Sequence, residues 1–237
     1  MDQILIKTET DSPAPLLAAP AIPDYLLNTY HWAYINPTNV SWLDRDLIVW
    51  AILWGNSGRL MSAAFSEIKP GENVLQAAYV YGDFSHRLAH HVGPDGKLDV
   101  IDILPIQVNN CRARLEDLPQ ASVRLADAMN PGGGPYDSVC CYFLLHEMPH
   151  EKRTDVIRGL LERVAPGGKA IFVDYHKPAP LHPLKGIMNL IWRKFEPFAI
   201  DLMETEIETI VPDVKNFNWT KETYFGGLYQ KVVARRT

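Results

Sequence analysis

Long apolar runs are missing from this chain. The longest, Leu47 to Trp54, has eight residues, against the roughly 20 that a membrane-crossing helix needs, so no membrane-spanning helix is expected. An excess of basic charge is missing too. There are 23 Lys and Arg against 28 Asp and Glu, a formal charge of −5, which offers no electrostatic footprint for a nucleic-acid partner. Cysteine is sparse: Cys111, Cys140 and Cys141 are an odd number, and two of them are neighbours. Neighbours on a strand point to opposite faces, so no disulfide framework is suggested, and buried apolar thiols are expected. The first residues, Met1 to Lys7 and then Thr8, Glu9 and Asp11, lack both the charged-then-apolar layout of a signal peptide and the Arg-rich, acid-poor character of a transit peptide. A cytoplasmic protein is expected. What remains is an ordinary globular composition, 47% hydrophobic and 22% charged over 237 residues, which excludes disordered and fibrous classes.

Three regions follow one another. Residues 1–23 carry Pro13, Pro15, Pro20 and Pro23 among Ala and Leu, which suits an extended, flexible lead-in. Residues 24–70 turn helical: Leu26, Leu27, Tyr30 and Tyr34, and then Leu47, Trp50, Ala51 and Trp54, recur at three-to-four spacing, which predicts a helical lid in front of a core. From residue 71 to 237 short apolar runs alternate with helix-length amphipathic segments, the pattern of parallel α/β construction. Strands are predicted near Asn73 to Ala77, Leu98 to Asp102, Ser122 to Leu125, Ser138 to Phe143 and Lys169 to Asp174. Helices are predicted at Asp83 to Val92, Pro105 to Leu115 and Glu151 to Val164, the last stopped by Ala165-Pro166-Gly167-Gly168. A long helical pattern, Leu184 to Glu208, then precedes two β-like runs, Phe217 to Phe225 and Leu228 to Ala234, whose Gly226-Gly227 link predicts a hairpin.

In a doubly wound sheet, ligands sit at the carboxyl ends of the strands, beside the first strand-to-helix loop and the end of the second strand. Here that loop runs Gln76, Ala77, Ala78, Tyr79, Val80, Tyr81, Gly82, and the second strand ends in Asp102, twenty positions after Gly82. A carboxylate there can accept both ribose hydroxyls of an adenosyl group, and Gly82 lets backbone approach the ligand closely. After the third strand, Asp127 and Ala128 stand where an adenine amine would be met.

Five parallel strands closed by a hairpin, with these residues, resemble a class I methyltransferase-like fold and its S-adenosylmethionine site. The loop departs from that pattern. The superfamily normally opens it with Asp or Glu and follows with three alternate glycines, whereas Gln76, Ala78 and Val80 hold the first three places and only Gly82 remains. Tyr79 and Tyr81 add bulk and hydroxyls at the methionine end of the site.

The stretches Val74 to Phe84, Asp99 to Asp102, Cys140 to Glu147, Phe172 to His176 and Lys221 to Gln230 resemble more narrowly the rhodoquinone biosynthesis enzymes, which look like methyltransferases without being such. The resemblance implies replacement of a ring methoxy group of ubiquinone by an amino group, with S-adenosylmethionine as amino donor and Mn²⁺ as cofactor. It implies Gln76, Ala78, Tyr79, Gly82, Asp102, Asp127 and Ala128 as cofactor contacts. For manganese, carboxylate and imidazole at strand ends are the suitable donors, and Asp174 with His176 is expected first, with Glu147 or His146 next; Asp83 also opens a helix at that rim. Tyr81 and His146 are candidates to accept the proton of the attacking amine. Outside this set, His182 fits a turn, and His86, His90 and His91 fit a solvated helix face. A lipid quinone also implies peripheral contact with a membrane surface, for which the Trp-rich helix Asp46 to Gly55 and the basic, apolar stretch Leu184 to Phe195 are candidates. Two other functions fit the same residues: a conventional S-adenosylmethionine-dependent methyltransferase acting on a quinone or phenol, and a binding module that kept the fold without catalysis.

Overall fold

The computed structural model describes residues 20–30 and 43–237; most of the predicted lead-in and Tyr34 of the predicted lid lie outside them. Among the described residues the lid supplies three helices, α1 (Asp24–Thr29), α2 (Asp46–Ile52) and α3 (Ser57–Phe65). Then β1 (Asn73–Ala77), α4 (Phe84–Val92), β2 (Lys97–Asp102), α5 (Pro105–Arg114), β3 (Ala121–Leu125) and β4 (Tyr136–Tyr142) alternate. A 3-10 turn, Leu145–Glu147, leads into α6 (His150–Glu162) and β5 (Val164–Tyr175). The chain ends with α7 (Lys185–Phe195), α8 (Ala199–Met203), a second 3-10 turn at Ile207–Ile210, β6 (Phe217–Tyr224) and β7 (Tyr229–Arg236).

One seven-stranded sheet runs in the order β3-β2-β1-β4-β5-β7-β6. Its first five strands are parallel, and β7 lies antiparallel between β5 and β6. This is the predicted class I methyltransferase-like architecture. Strands covered on both faces should be apolar almost throughout, and Val74, Leu75 and Ala77 of β1 and Ala170 to Val173 of β5 are each fully buried. Two core clusters follow, one on each face. Phe84, Leu88 and Trp192 belong to the first, and Ile157, Leu160 and Phe172 to the second; each such side chain contributes on the order of 1.5–3 kcal/mol of burial. Cys111, Cys140 and Cys141 are free and buried. Among the described residues no helix is long and apolar enough to cross a membrane.

Three boundaries differ from the sequence expectation. The helix predicted to reach Val164 ends at Glu162, because Val164 already pairs with Tyr136 as the start of β5. The Pro-Gly-Gly stop therefore falls inside that long strand, where Gly167 takes φ 75° and lets the chain bend. The continuous helix expected over Leu184 to Glu208 is broken into α7, α8 and a 3-10 turn. Pro197 follows Glu196 directly, and a proline disfavours helical geometry in the residue before it and supplies no N–H. The hairpin turn takes in Phe225 as well as Gly226 and Gly227, all three with positive φ.

Candidate functional site

The strand order reverses between β1 and β4, so their carboxyl ends splay apart and leave a crevice. A cavity occupies it. The sheet side of its wall includes Ala78, Tyr79, Asp102, Ile103, Asp127 and His146, while Tyr25, Leu26, Leu43, Val49, Ile52 and Leu53 of the lid close the other side. The lid thus forms part of the site.

At the β2 end, Asp102 is 7% exposed. Its Oδ2 accepts the Tyr79 N–H at 2.9 Å and its Oδ1 accepts the Leu104 N–H at 2.8 Å. Burial pushes its carboxyl up to about 6, against the backbone N–H groups that favour the charged form. At the β3 end, Asp127 accepts the Met129 N–H at 2.9 Å, and Ala126 and Ala128 line the cavity beside it. That loop rests on α6 at Gly159. A Cβ there would lie 2.7 Å from the Met129 carbonyl carbon and 2.9 Å from the Ala128 oxygen, so glycine is required for the close approach.

The β1 loop is built differently. Gln76 is fully buried beneath it and lies outside the cavity wall; its Nε2 donates to the Ala78 oxygen at 2.9 Å and to Ser85 Oγ at 2.8 Å. Its bearing on a cofactor is through the loop. Ala78 takes φ 66°, a left-handed conformation that costs a non-glycine residue roughly 1–2 kcal/mol. Gly82 takes φ 80°, and a Cβ there would meet Asp46 Oδ1 at 3.1 Å and Val49 Cγ2 at 3.2 Å, so the surviving glycine lets the lid approach. A residue that sequence reasoning missed fastens this contact. Asp44 accepts the Gly82 N–H at 2.8 Å and the Tyr79 hydroxyl at 3.0 Å, and pairs with Arg114 at 3.1 Å. Nothing in the local sequence distinguishes it from the solvated acid Asp46 two positions on.

Tyr81 lines the cavity and accepts a hydrogen bond from Gln107 Nε2 at 2.9 Å. Burial drives its phenol well above the ordinary range, so Tyr81 stays a neutral hydroxyl and does not reach the anionic form of a base.

At the β4 and β5 ends, His146 Nδ1 lies 2.8 Å from Asp174 Oδ1. Asp174 also accepts backbone N–H groups from Leu145 at 2.9 Å and Tyr175 at 2.7 Å. Burial lowers the His146 imidazole pKa, but the charge and hydrogen bond of Asp174, joined by Glu196 and Glu147, outweigh it and bring it to about 9. At neutral pH this is an imidazolium, a proton donor. Its Nε2 stands 3.8 Å from Glu196 Oε2, and His146, Glu147 and Glu196 all line the cavity. Glu196 was hidden from sequence reasoning inside a segment expected to be continuous helix.

The pairing expected of Asp174 with His176 does not form. His176 lies past the end of β5, with Nδ1 2.8 Å from the Gly227 oxygen and Nε2 3.5 Å from Lys221 Nζ; two-residue spacing places side chains together only while the strand persists. Asp83 is held by Arg87 and His86, and His182 serves its turn against the Phe225 oxygen at 3.0 Å and the Leu184 N–H at 3.2 Å. Among the described residues no group of three or more His, Cys, Asp or Glu is arranged to hold a metal ion. Asp174 already takes three backbone N–H groups, those of Leu145, His146 and Tyr175, and an imidazole, so the expected donor set does not fit manganese.

Residues 74–168 match a family model described as a methyltransferase domain. The chain is 25% identical over 163 residues to the ubiquinone/menaquinone biosynthesis C-methyltransferase UbiE of Ectopseudomonas mendocina (strain ymp), a match covering 67% of this chain and 60% of that protein. It is 23% identical, with the same coverage, to the protein of that name from Pseudomonas fluorescens (strain Pf0-1). The chain therefore spans about 60% of the length of these curated relatives. Among solved structures it resembles a SAM-dependent methyltransferase from Aquifex aeolicus, with TM-score 0.59 and 18% identity over 85% of this chain and 99% of that one. It also resembles an O-methyltransferase family protein from Burkholderia thailandensis, with TM-score 0.62 and 16% identity over 86% and 61%. Strand order and structural likeness show a methyltransferase-like α/β fold, within which residues 74–168 match a methyltransferase domain.

Proposed function

We propose that this chain is an S-adenosylmethionine-dependent transferase acting on the ring of a lipid quinone, and that it exchanges a methoxy group of ubiquinone for an amino group. Class I fold and domain match support the cofactor. Asp102 would hold the ribose hydroxyls, Asp127 and Ala128 the adenine edge, and the Tyr79 to Gly82 loop the methionine end. The bound cofactor supplies the amino nitrogen. Transfer would require that this nitrogen bond to the ring carbon while methoxide leaves, protonated, as methanol, and that its bond to the cofactor's α-carbon then break. Two-electron oxidation of that carbon to an imine by the quinone ring, itself reduced to the quinol, followed by hydrolysis by water, would balance that release. His146, oriented by Asp174 and protonated at neutral pH, would donate to the quinone oxygen as negative charge develops there.

The observation that carries amino transfer is the β1 loop. Its opening carboxylate is replaced by Gln76, its first glycine by a left-handed Ala78, and Tyr79 and Tyr81 stand where bare backbone is usual. With an amide beneath the loop and outside the cavity wall, residue 76 itself offers no carboxylate to a charged ammonium. Transfer of the methyl group to a quinone or phenol carbon is the second reading. It draws on the C-methyltransferase relatives and the methyltransferase-domain match, which support methyl transfer more directly than amino transfer. No step is routed through manganese, because the donor set does not fit it.

The two readings separate in one incubation of the protein with a short-tailed ubiquinone and S-adenosylmethionine carrying nitrogen-15 in the amine and carbon-13 in the methyl group. Nitrogen-15 in the quinone is the expected result. Carbon-13 retained on a ring carbon would establish methyl transfer instead, and an unlabelled quinone would overturn both.

A further inference from the structure

Exposed apolar side chains are distributed unevenly over this protein. Every large one among the described residues falls within 27–54 or 181–200, and none lies on the sheet or on the helices α3 to α6 that cover it. Leu47 is 72% and Trp50 53% exposed on α2; Leu190 is 66% exposed on α7, and Leu181, just before it, 96%. The segment that follows α2 reaches α7, where the Trp54 indole N–H meets the Met188 thioether at 3.1 Å. Helix α2 contributes Val49 and Ile52 to the cavity wall, and Glu196, directly after α7, contributes to it too.

Helix α7 is amphipathic in an unusual sense. Met188 and Trp192 face the core, yet Ile187 and Leu190 face outward beside Arg193 and Lys194. Its eleven residues hold Lys185, Arg193 and Lys194 and no acid, within a chain of net charge −5. A contiguous apolar patch on a monomer marks an interaction surface. On α7, aliphatic side chains and cations with no intervening carboxylate, joined by Leu47 and Trp50 of α2 despite its one acid, Asp46, form a composition that suits a bilayer interface, apolar groups among the acyl chains and cations at phosphate level.

We infer that the α2 and α7 face docks on a bilayer bearing anionic headgroups, and that the cavity thereby opens at the lipid surface. This gives the lipid-quinone reading its route of substrate entry and rests on that reading for its purpose, while the docking itself depends only on the surface chemistry. The exposed part of α2 would place Trp50 at the level of the headgroups, and α7 would lie along the surface with Arg193 and Lys194 on phosphates. Each cation near such a surface is worth about 1 kcal/mol, or roughly fivefold in binding.

The test is co-sedimentation of the full chain with vesicles of phosphatidylcholine alone or with about one-third phosphatidylglycerol, without quinone or S-adenosylmethionine. The chain is expected to pellet with the anionic vesicles and to be released by salt. The double variant Arg193→Gln with Lys194→Gln should weaken binding on the order of twentyfold, and Leu190→Asn should weaken it with unchanged thermal stability, since that side chain already faces solvent. Equal binding to both vesicle types, no binding to either, or indifference to these variants would overturn docking. A second arm uses Leu190→Cys, the native cysteines being buried. Its thiol should react freely with a soluble maleimide and be shielded by anionic vesicles; shielding in their absence would mean that a second copy or this chain's own residues cover the face, and would equally overturn the inference. Activity toward a water-soluble short-tailed quinone is untouched by either result, so docking and the transfer reaction fail separately.

Discussion

The two ends of the cavity follow different rules. At the β2 and β3 ends, where an adenosyl group would lie, the residues expected from the sequence line the cavity: Asp102 on two backbone N–H groups, and Asp127 beside Ala128 at the start of a loop. At the β1 end, where the methionine part would lie, Gln76 holds the loop from below, Ala78 bears a strained φ, and Asp44 of the lid takes the Gly82 N–H. An enzyme can keep its grip on a cofactor through one half while the other half changes which group it presents. Under the proposed function, this difference makes the cofactor easier to infer from this chain than the reaction.

The largest expected effect is on the half at the β2 and β3 ends. Gly159→Ala forces a methyl group into the carbonyls of Ala128 and Met129, and should cost about 3 kcal/mol of stability, read by urea denaturation, with cofactor affinity falling because the Asp127 loop must move. If affinity survives while stability falls, that loop is not part of the cofactor site. Gln76→Glu comes next. The carboxylate would lose the donor that holds the Ala78 oxygen and Ser85 and would be buried against a carbonyl, costing about 2 kcal/mol. Thermal unfolding should show this loss, and under the proposed amino transfer the nitrogen-15 incubation should show less label in the quinone; a variant as stable and as active as the parent would remove any role for Gln76. The smallest effect has the opposite sign. Ala78→Gly should stabilise by up to about 1 kcal/mol, since glycine takes φ 66° without strain. A destabilised variant would mean that the alanine methyl is needed for packing.

Most of the fold was legible in the sequence because buried parallel strands advertise themselves as short apolar runs between amphipathic helices. The five central strands were placed within a few residues, and Asp102 followed from its distance to Gly82. The failures have local causes. Pro197 broke the expected long helix, and with it Glu196 went unseen at the end of α7. Asp174 and His176 were paired by strand periodicity that ends at Tyr175, so the imidazole turns to the hairpin carbonyl of Gly227 instead. Asp44 was invisible for another reason: its partners Gly82, Tyr79 and Arg114 lie 35 to 70 positions away, and no local pattern encodes such a contact.

Asp102 offers the most direct test. Its carboxyl sits near 6 in the folded protein, above its ordinary value of 3.8. The folded state therefore takes up a proton that the unfolded chain does not, and for the free protein this group favours folding increasingly as pH falls from about 6 toward 4. The cofactor has the opposite sign, because ribose hydroxyls donate to the carboxylate and not to the acid. Calorimetric titration with S-adenosylmethionine across this range, in the parent and in Asp102→Asn, separates the two. The parent should bind with an affinity that declines as pH falls through about 6, and the variant should bind at least tenfold more weakly at neutral pH with no such decline. Identical affinities and pH profiles in the two proteins would contradict the placement of the cofactor at the β1 and β4 switch point.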